Sequence, residues 1–165
     1  MTTSFIPVQP EDLPTLADLA EKIWTEHYTS LIGAAQVSYM IEKYQSESAI
    51  KTQLKEGYAY YFICHDGKTA GYFGIVPRPK EHYLFLSKLY VDKDFRRKGL
   101  ASDALIFIRE VAKEANLPAV RLTVNKGNSG SIEAYHRLGF RKIRDETTDI
   151  GSGFVMDDYV MECQV

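Results

Sequence analysis

Two stretches of this sequence hold residue types whose spacing can do chemistry. The first is Arg96-Arg97-Lys98-Gly99-Leu100-Ala101, three cations and a glycine immediately ahead of a helical pattern. The first turn of a helix has unpaired N–H donors and a partial positive charge, so it favours an anion. Gly99 lets the backbone approach a bulky phosphate or take positive φ, and Ala101 leaves the next turn uncrowded. The pattern is neither GxGxxG nor GxxxxGK[ST], which excludes the usual dinucleotide and nucleoside-triphosphate loops. Taken alone it also describes an exposed basic turn before an ordinary helix. The second stretch runs from Asn128 through Tyr135 to Gly139-Phe140. Asn128 and Tyr135 are about two helical turns apart and share nearly the same face, while Ile132 and Leu138 serve the core. A helix cap and a half-buried packing residue would give the same pattern.

These residues need a strand and two helices to position them. Leu84, Phe85, Leu86, Leu89, Tyr90 and Val91 supply the bulky apolar side chains of a strand predicted over Tyr83 to Val91. From Leu100 the apolar period changes. Leu100, Ala104, Leu105, Ile108, Val111, Ala112 and Ala115 fall three or four residues apart, one face of a helix. Pro118 stops it, Ala119 to Val124 alternates as a strand, and Asn128 to Leu138 reads as a short helix closed by Gly139.

Earlier in the chain, Phe5, Ile6 and Val8 predict a first strand. Pro10 to Pro14 opens a helix with its apolar stripe at Leu13, Leu16, Leu19, Ala20, Ile23, Trp24 and His27. Two further helical patterns pass through Val37, Met40, Ile41 and Tyr44 and through Ile50 and Leu54, with Ser46 as an N-cap. Tyr58 to Cys64 and Ala70 to Val76 form a predicted hairpin, followed by a break at Pro77-Arg78-Pro79-Lys80. Phe140 to Arg144 and Phe154 to Glu162 are closing strands joined by a loop from Asp149 to Gly153. One α/β domain over residues 1–165 is expected.

With 165 residues, 45% hydrophobic and 25% charged, the composition is that of a soluble globular domain able to bury a core without metals or disulfides. A net charge of -2 gives no reason to expect nucleic acid as a partner. Cys64 and Cys163 lie in apolar runs and are expected to be buried reduced thiols. No apolar run approaches the ~20 residues that span a bilayer. Met1-Thr2-Thr3-Ser4 lacks the basic start of a signal peptide, so a cytoplasmic location is expected. His27, His65, His82 and His136 have no metal-ligand spacing, and no metal is expected.

Together the two stretches resemble the GNAT superfamily of N-acetyltransferases. There a [Q/R]-x-x-G-x-[G/A] pattern follows a long strand, and an Asn, a Tyr and a Gly-Phe recur later at the spacing of Asn128, Tyr135 and Gly139-Phe140. The resemblance covers Phe5 to Glu162. It implies the GNAT fold: a mixed, mostly antiparallel sheet with a central pair of parallel strands that splay apart, flanked by helices. It also implies acetyl-coenzyme A (acetyl-CoA) as cosubstrate between the strands Tyr83 to Val91 and Ala119 to Val124.

On this resemblance, the backbone of Leu89, Tyr90 and Val91 would hold the pantetheine arm and polarise the thioester carbonyl. Arg96, Arg97, Lys98, Gly99, Leu100, Ala101 and Ser102 would hold the pyrophosphate, Asn128 the pantetheine and Arg137 a coenzyme phosphate. Tyr135 would act as the general acid that protonates the departing thiolate.

The acceptor amine must be neutral to attack, although an alkyl amine has a pKa of ~10. Many relatives place a glutamate on the strand that carries Leu89. Here Ser87 and Lys88 occupy that region, and no general base is assigned; a water chain ending on Glu81, His82 or Asp149 is the alternative. From Asp145 to Val165 there are six acids and no Lys or Arg, which would draw a cationic acceptor, although a solvated acidic face has the same composition.

The stretches Leu86 to Val91, Tyr39 to Ser46 and Asp149 to Glu162 further resemble bacterial spermidine/spermine N-acetyltransferases of the PaiA type. That implies a primary amine acceptor, a polyamine first, with Glu26, Glu42, Asp149, Asp157 and Asp158 as amine contacts. The alternatives are a protein or small-molecule amine acetyltransferase of the same fold, or a non-catalytic acetyl-CoA-binding regulatory module. A homodimer is a further expectation at the family level.

Overall fold

In the computed structural model, which describes residues 2–165, one strand carries the long central apolar run of the sequence. Strand β1 (Thr3–Pro7) and a 3-10 turn at Pro10–Asp12 lead into helix α1 (Leu13–Ile32). Leu13, Leu16, Ala20, Ile23, Trp24 and Tyr28 give α1 one buried face. It stops at Gly33, in the left-handed region at φ 87°. Helix α2 (Ala34–Met40) runs directly into a π-helical turn at Ile41–Gln45. Helix α3 (Glu47–Lys55) then starts at Ser46, whose side chain accepts from the Ala49 N–H at 3.2 Å, as the sequence predicts.

Strands β2 (Ala59–His65) and β3 (Lys68–Arg78) form a hairpin about Asp66-Gly67. Both turn residues have positive φ (49° and 80°), the conformation that matches strand twist. Strand β3 runs through Pro77 and Arg78, where the sequence predicts a break. Its last partner on β2 is Ala59, opposite Ile75, so the missing N–H of Pro77 costs no bond on that side.

Strand β4 (Tyr83–Val91) matches its predicted bounds and leads through a 3-10 turn at Lys93–Phe95 to helix α4 (Leu100–Glu114). Strand β5 (Ala119–Asn125), helix α5 (Ser129–Arg137) and strands β6 (Arg141–Gly151) and β7 (Phe154–Gln164) complete the chain. The expected loop from Asp149 to Gly153 is mostly strand. Strands β6 and β7 pair as far as Gly151 with Phe154, across the two-residue turn Ser152-Gly153. Strand β6 is an edge strand with few apolar residues, so no alternation marks its second half.

The sheet order is β1-β2-β3-β4-β5-β7-β6, with β4 and β5 parallel and the other neighbours antiparallel. The parallel ladder joins Leu84, Phe85 and Leu86 to Val120, Arg121 and Leu122 and goes no further, as a splayed central pair requires. The chain divides into two compact units. One is the segment ending at Val76 with Lys88–Leu105, and the other is Pro77–Ser87 with Ile106–Val165. The core of the first includes Leu16, Ala20, Ile23, Ile50, Tyr60 and Tyr72. In the second, Leu84, Ile108, Val120, Leu122, Phe140 and Met161 are almost wholly buried. Cys64 and Cys163 are free and buried.

Candidate active site

In the first unit the site begins where β4 ends. Gly71 of β3 lies so close to this strand that a Cβ there would stand 2.2 Å from the Tyr90 carbonyl oxygen. Only glycine permits that approach. The next residue, Asp92, pins the turn. Its N–H donates to the Ala70 carbonyl at 2.8 Å, and its carboxylate accepts from the Asp94 N–H (3.1 Å) and the Lys22 ammonium (2.7 Å). Burial pushes the Asp92 carboxyl up, but Lys22, the Asp94 N–H and Arg96 outweigh it and hold it below the ordinary carboxylate range. Arg96 Nε folds back to donate to the Val91 carbonyl at 3.2 Å.

The segment then meets α4. Arg97 and Gly99 both take positive φ (63° and 75°), and Arg97, Lys98 and Gly99 are exposed. The first bond of the helix is Asp103 N–H to the Gly99 carbonyl. Among the described residues the N–H groups of Gly99, Leu100, Ala101 and Ser102 therefore have no acceptor. A Cβ built at Gly99 meets nothing within 4 Å, so the backbone there faces open space. Unpaired donors at a helix start, two left-handed residues and exposed cations form a cradle suited to a diphosphate. The residues present fit the pyrophosphate of a coenzyme.

The first unit also holds a buried polar cluster around Lys88 of β4, which no motif in the sequence marks. Lys88 continues the buried alternation of Leu84 and Leu86 and is 6% exposed. Its ammonium donates to the Tyr44 carbonyl and to Gln53 Oε1 (3.1 Å) and stands 5.1 Å from the centre of the Tyr60 ring. Gln53 Nε2 also donates to the Tyr44 carbonyl at 3.2 Å, and the Tyr60 hydroxyl donates to Gln53 Oε1. Burial lowers the Lys88 ammonium to about 7. Burial raises the Tyr60 and Tyr72 phenols, with a further contribution from Tyr58 to the first and from Tyr60 to the second. They remain donors, and the Tyr72 hydroxyl reaches Gln45 Oε1 at 2.9 Å.

Tyr90 packs against Trp24, Tyr28 and Tyr72 at ring distances of 5.5, 6.1 and 5.4 Å. Glu26 stands 3.9 Å from Lys93, and Glu42 is exposed on the π-helical turn. The signal for Lys88 was present in the sequence as a charge at an inward-facing strand position. Asp92 was masked by the charged residues that follow it.

The second unit holds the other predicted residues. Asn128 is buried (7% exposed) at the N-cap position of α5, yet its side chain makes no capping bond. Tyr135 is half-buried near the end of α5, its ring 5.6 Å from that of Phe140. Arg137 is exposed and pairs with Glu133 at 3.1 Å. His136 is exposed, with Nδ1 3.2 Å from the Phe140 carbonyl.

The predicted acidic face is partly neutralised by lysines from outside the Asp145 to Val165 stretch. Asp145 pairs with Lys126 (3.2 Å) and Lys142 (2.6 Å), and Asp157 with Lys126 (2.9 Å). Asp149 accepts from the Gly151 N–H at 2.8 Å and so shapes the β6–β7 turn. Asp158 is different: it is 5% exposed, and its carboxyl is raised to about 6 by burial and by the charges of Glu146 and Asp157.

Comparison with known proteins supplies the family. The acetyltransferase (GNAT) family matches residues 16–140. The spermidine N(1)-acetyltransferase of Thermoplasma acidophilum is 25% identical over 154 residues, covering 89% of this chain and 91% of that protein. Human N-acetyltransferase 8 is 26% identical, covering 78% of this chain and 55% of its own length. Among solved structures, PaiA N-acetyltransferase from Thermoplasma acidophilum in complex with coenzyme A superposes with a TM-score of 0.79 at 20% identity, and each chain is covered in full. A ribosomal-protein-S18-alanine N-acetyltransferase from Escherichia coli gives 0.72 at 17% identity, covering 99% of this chain and 94% of its own. The match over three quarters of the sequence, on the fold and motifs described above, makes this chain a member of the acetyltransferase (GNAT) family.

Proposed function

We propose that this acetyltransferase moves the acetyl group of acetyl-CoA to a primary amine, with a polyamine such as spermidine or spermine as the acceptor class. The observation that carries the cosubstrate is the cradle at Gly99 to Ser102, four unpaired N–H groups beneath open space. The acceptor class is supported by the near full-length similarity to a spermidine N(1)-acetyltransferase.

Bound acetyl-CoA supplies an activated thioester, and the chain's residues do the rest. The amides at the start of α4 hold the diphosphate, with Arg96, Arg97 and Lys98 adding charge around it. The backbone from Leu89 to Val91 is the segment proposed to orient the thioester, and Gly71, Asp92 and Arg96 fix where it runs. Asn128 contributes a buried amide for the pantetheine. The Tyr135 hydroxyl holds the proton for the departing sulfur. Orientation of two bound substrates supplies much of the remaining acceleration. Glu26, Glu42, Asp149 and Asp158 are the proposed contacts for a cationic acceptor. Asp157 joins them only by giving up its lysine.

The test is release of free thiol from acetyl-CoA on addition of spermidine, spermine, lysine, peptides with free N-termini or aminoglycosides. Fastest turnover with the polyamines supports this reading. Turnover only with peptides would replace the acceptor, and thiol release with none of them would remove the polyamine reading.

A further inference from the structure

The open face of the second unit holds a pocket that neither motif explains. Its volume is about 190 Å³, and it is lined by Arg78, Tyr83, Phe85, Arg121, Arg144 and Glu146 over a floor of Thr123 and Val160. The register explains why they meet. Tyr83 and Phe85, Arg121 and Thr123, and Arg144 and Glu146 are alternate residues of three strands, so each pair shares one face of the sheet. Thr123 and Arg144 both lie opposite Val160, which brings β5, β7 and β6 into one row.

The three guanidinium groups are held to different degrees. Arg121 is fixed: Nε and Nη2 contact Glu162 at 2.9 and 2.7 Å, and the guanidinium lies 4.2 Å over the Tyr83 ring. Arg144 makes one long contact to Glu146, at 3.4 Å, and is otherwise exposed. Arg78 is half-buried and has no ion pair among the described residues. Three guanidinium groups and one carboxylate, that of Glu146, line the pocket. Glu162 holds Arg121, Asp158 lies opposite Glu146 on the neighbouring strand, and Arg78 is left without an ion pair among the described residues. Like charges gathered on one sheet face repel, and an anion among them removes that cost.

We propose that this pocket binds a small organic monocarboxylate with an apolar or aromatic body. The N–H donors of Arg78 and Arg144, beside a preset Arg121, suit a carboxylate, which guanidinium groups bind by paired charge-assisted hydrogen bonds. Tyr83, Phe85 and Val160 take the apolar part, and Glu146 at the edge disfavours a second negative group. The volume suits a molecule smaller than a nucleotide. The site lies within one unit of the chain.

The experiment is calorimetric titration of the full chain with benzoate, in the presence of saturating coenzyme A so that the diphosphate cradle is already filled. Benzamide serves as the neutral isostere and phenyl phosphate as the alternative anion. One equivalent of benzoate is expected to bind, benzamide not to bind, and R78Q/R144Q to weaken benzoate at least tenfold. The exposed R144Q alone is expected to weaken it severalfold, which keeps the test informative should the double variant fold poorly. Coenzyme A affinity is expected to stay unchanged in both. The proposal is overturned by no benzoate binding, by equal binding of benzamide, or by undiminished binding in both variants. Binding of phenyl phosphate without benzoate would also overturn it and make the pocket a phosphate site.

Discussion

Replacing Gly71 with alanine tests whether the end of β4 is held in place by its neighbour strand. The new Cβ would sit 2.2 Å from the Tyr90 carbonyl oxygen, 3.0 Å from Val91 Cα and 3.2 Å from the Tyr90 carbonyl carbon. Those are backbone atoms, which cannot swing aside as a side chain can. Non-bonded carbon pairs prefer ~3.5–4.0 Å, so the strands must part by about 1 Å. Overpacking on this scale costs about 1–3 kcal/mol. With an unfolding entropy of ~2.1 cal/mol/K per residue, the 165-residue chain loses roughly 3 °C of Tm for each kcal/mol. Thermal unfolding followed by circular dichroism should therefore show Gly71→Ala melting roughly 3–9 °C lower.

The same displacement moves Tyr90 and Val91, the segment proposed to orient the thioester. A misplacement of about 1 Å can cost ~100-fold in rate, so turnover below the melting range should fall by one to two orders of magnitude. Gly67→Ala is the control: it sits at φ +80° in the β2–β3 turn with nothing within 4 Å. It should lower Tm by backbone strain and leave turnover intact. A Gly71→Ala variant with wild-type Tm and wild-type rate would refute the close approach and the positional argument built on it.

Other outcomes follow from single groups. Tyr135→Phe should lower kcat by ~10²–10⁴, the range of a lost general acid, with coenzyme affinity unchanged; equal kcat would remove Tyr135 from the chemistry. Lys88 has a folded pKa of about 7 against an ordinary 10.5, so between these values the unfolded chain holds more protons and stability rises with pH. Relative to Lys88→Met, the wild type should gain roughly 2–3 kcal/mol in urea unfolding between pH 7 and 9, at ~1.36 kcal/mol per unit; parallel pH profiles would contradict this. Asp158 is raised to about 6, so the folded state holds the extra proton and stability is lost as pH rises from about 4 to 6. Asp158→Asn should therefore raise Tm at pH 7.5 and leave it unchanged at pH 4; a destabilised variant at pH 7.5 would show that its charge is needed.

The parts of the fold that could be read in the sequence were those marked by a clean period. The bounds of β4 and the start of α4 are visible because apolar alternation gives way to a helical stripe at Leu100. Ser46 is visible as a cap because its hydroxyl has a local job. Strand β6 beyond Arg144 was missed because an edge strand can be polar on both faces, and the extension of β3 through Pro77 because its partner had already ended. The open helix start at Gly99 was legible from one glycine and three cations ahead of a helical stripe. The environment of Lys88 was not, because it depends on the Tyr44 carbonyl of a π-helical turn that no local pattern predicts. The lysines that neutralise Asp145 and Asp157 come from Lys126, in the β5–α5 connection, and Lys142, at the start of β6; register places them there, not composition.

The central claim is that main-chain donors at the head of α4 grip the coenzyme. Calorimetric titration of acetyl-CoA into wild type and Gly99→Val compares an open cradle with one filled by a branched side chain in a left-handed position. The account predicts saturable one-to-one binding by the wild type and at least tenfold weaker binding by the variant. Absence of heat from folded wild-type protein, or equal affinity of the two, would contradict it.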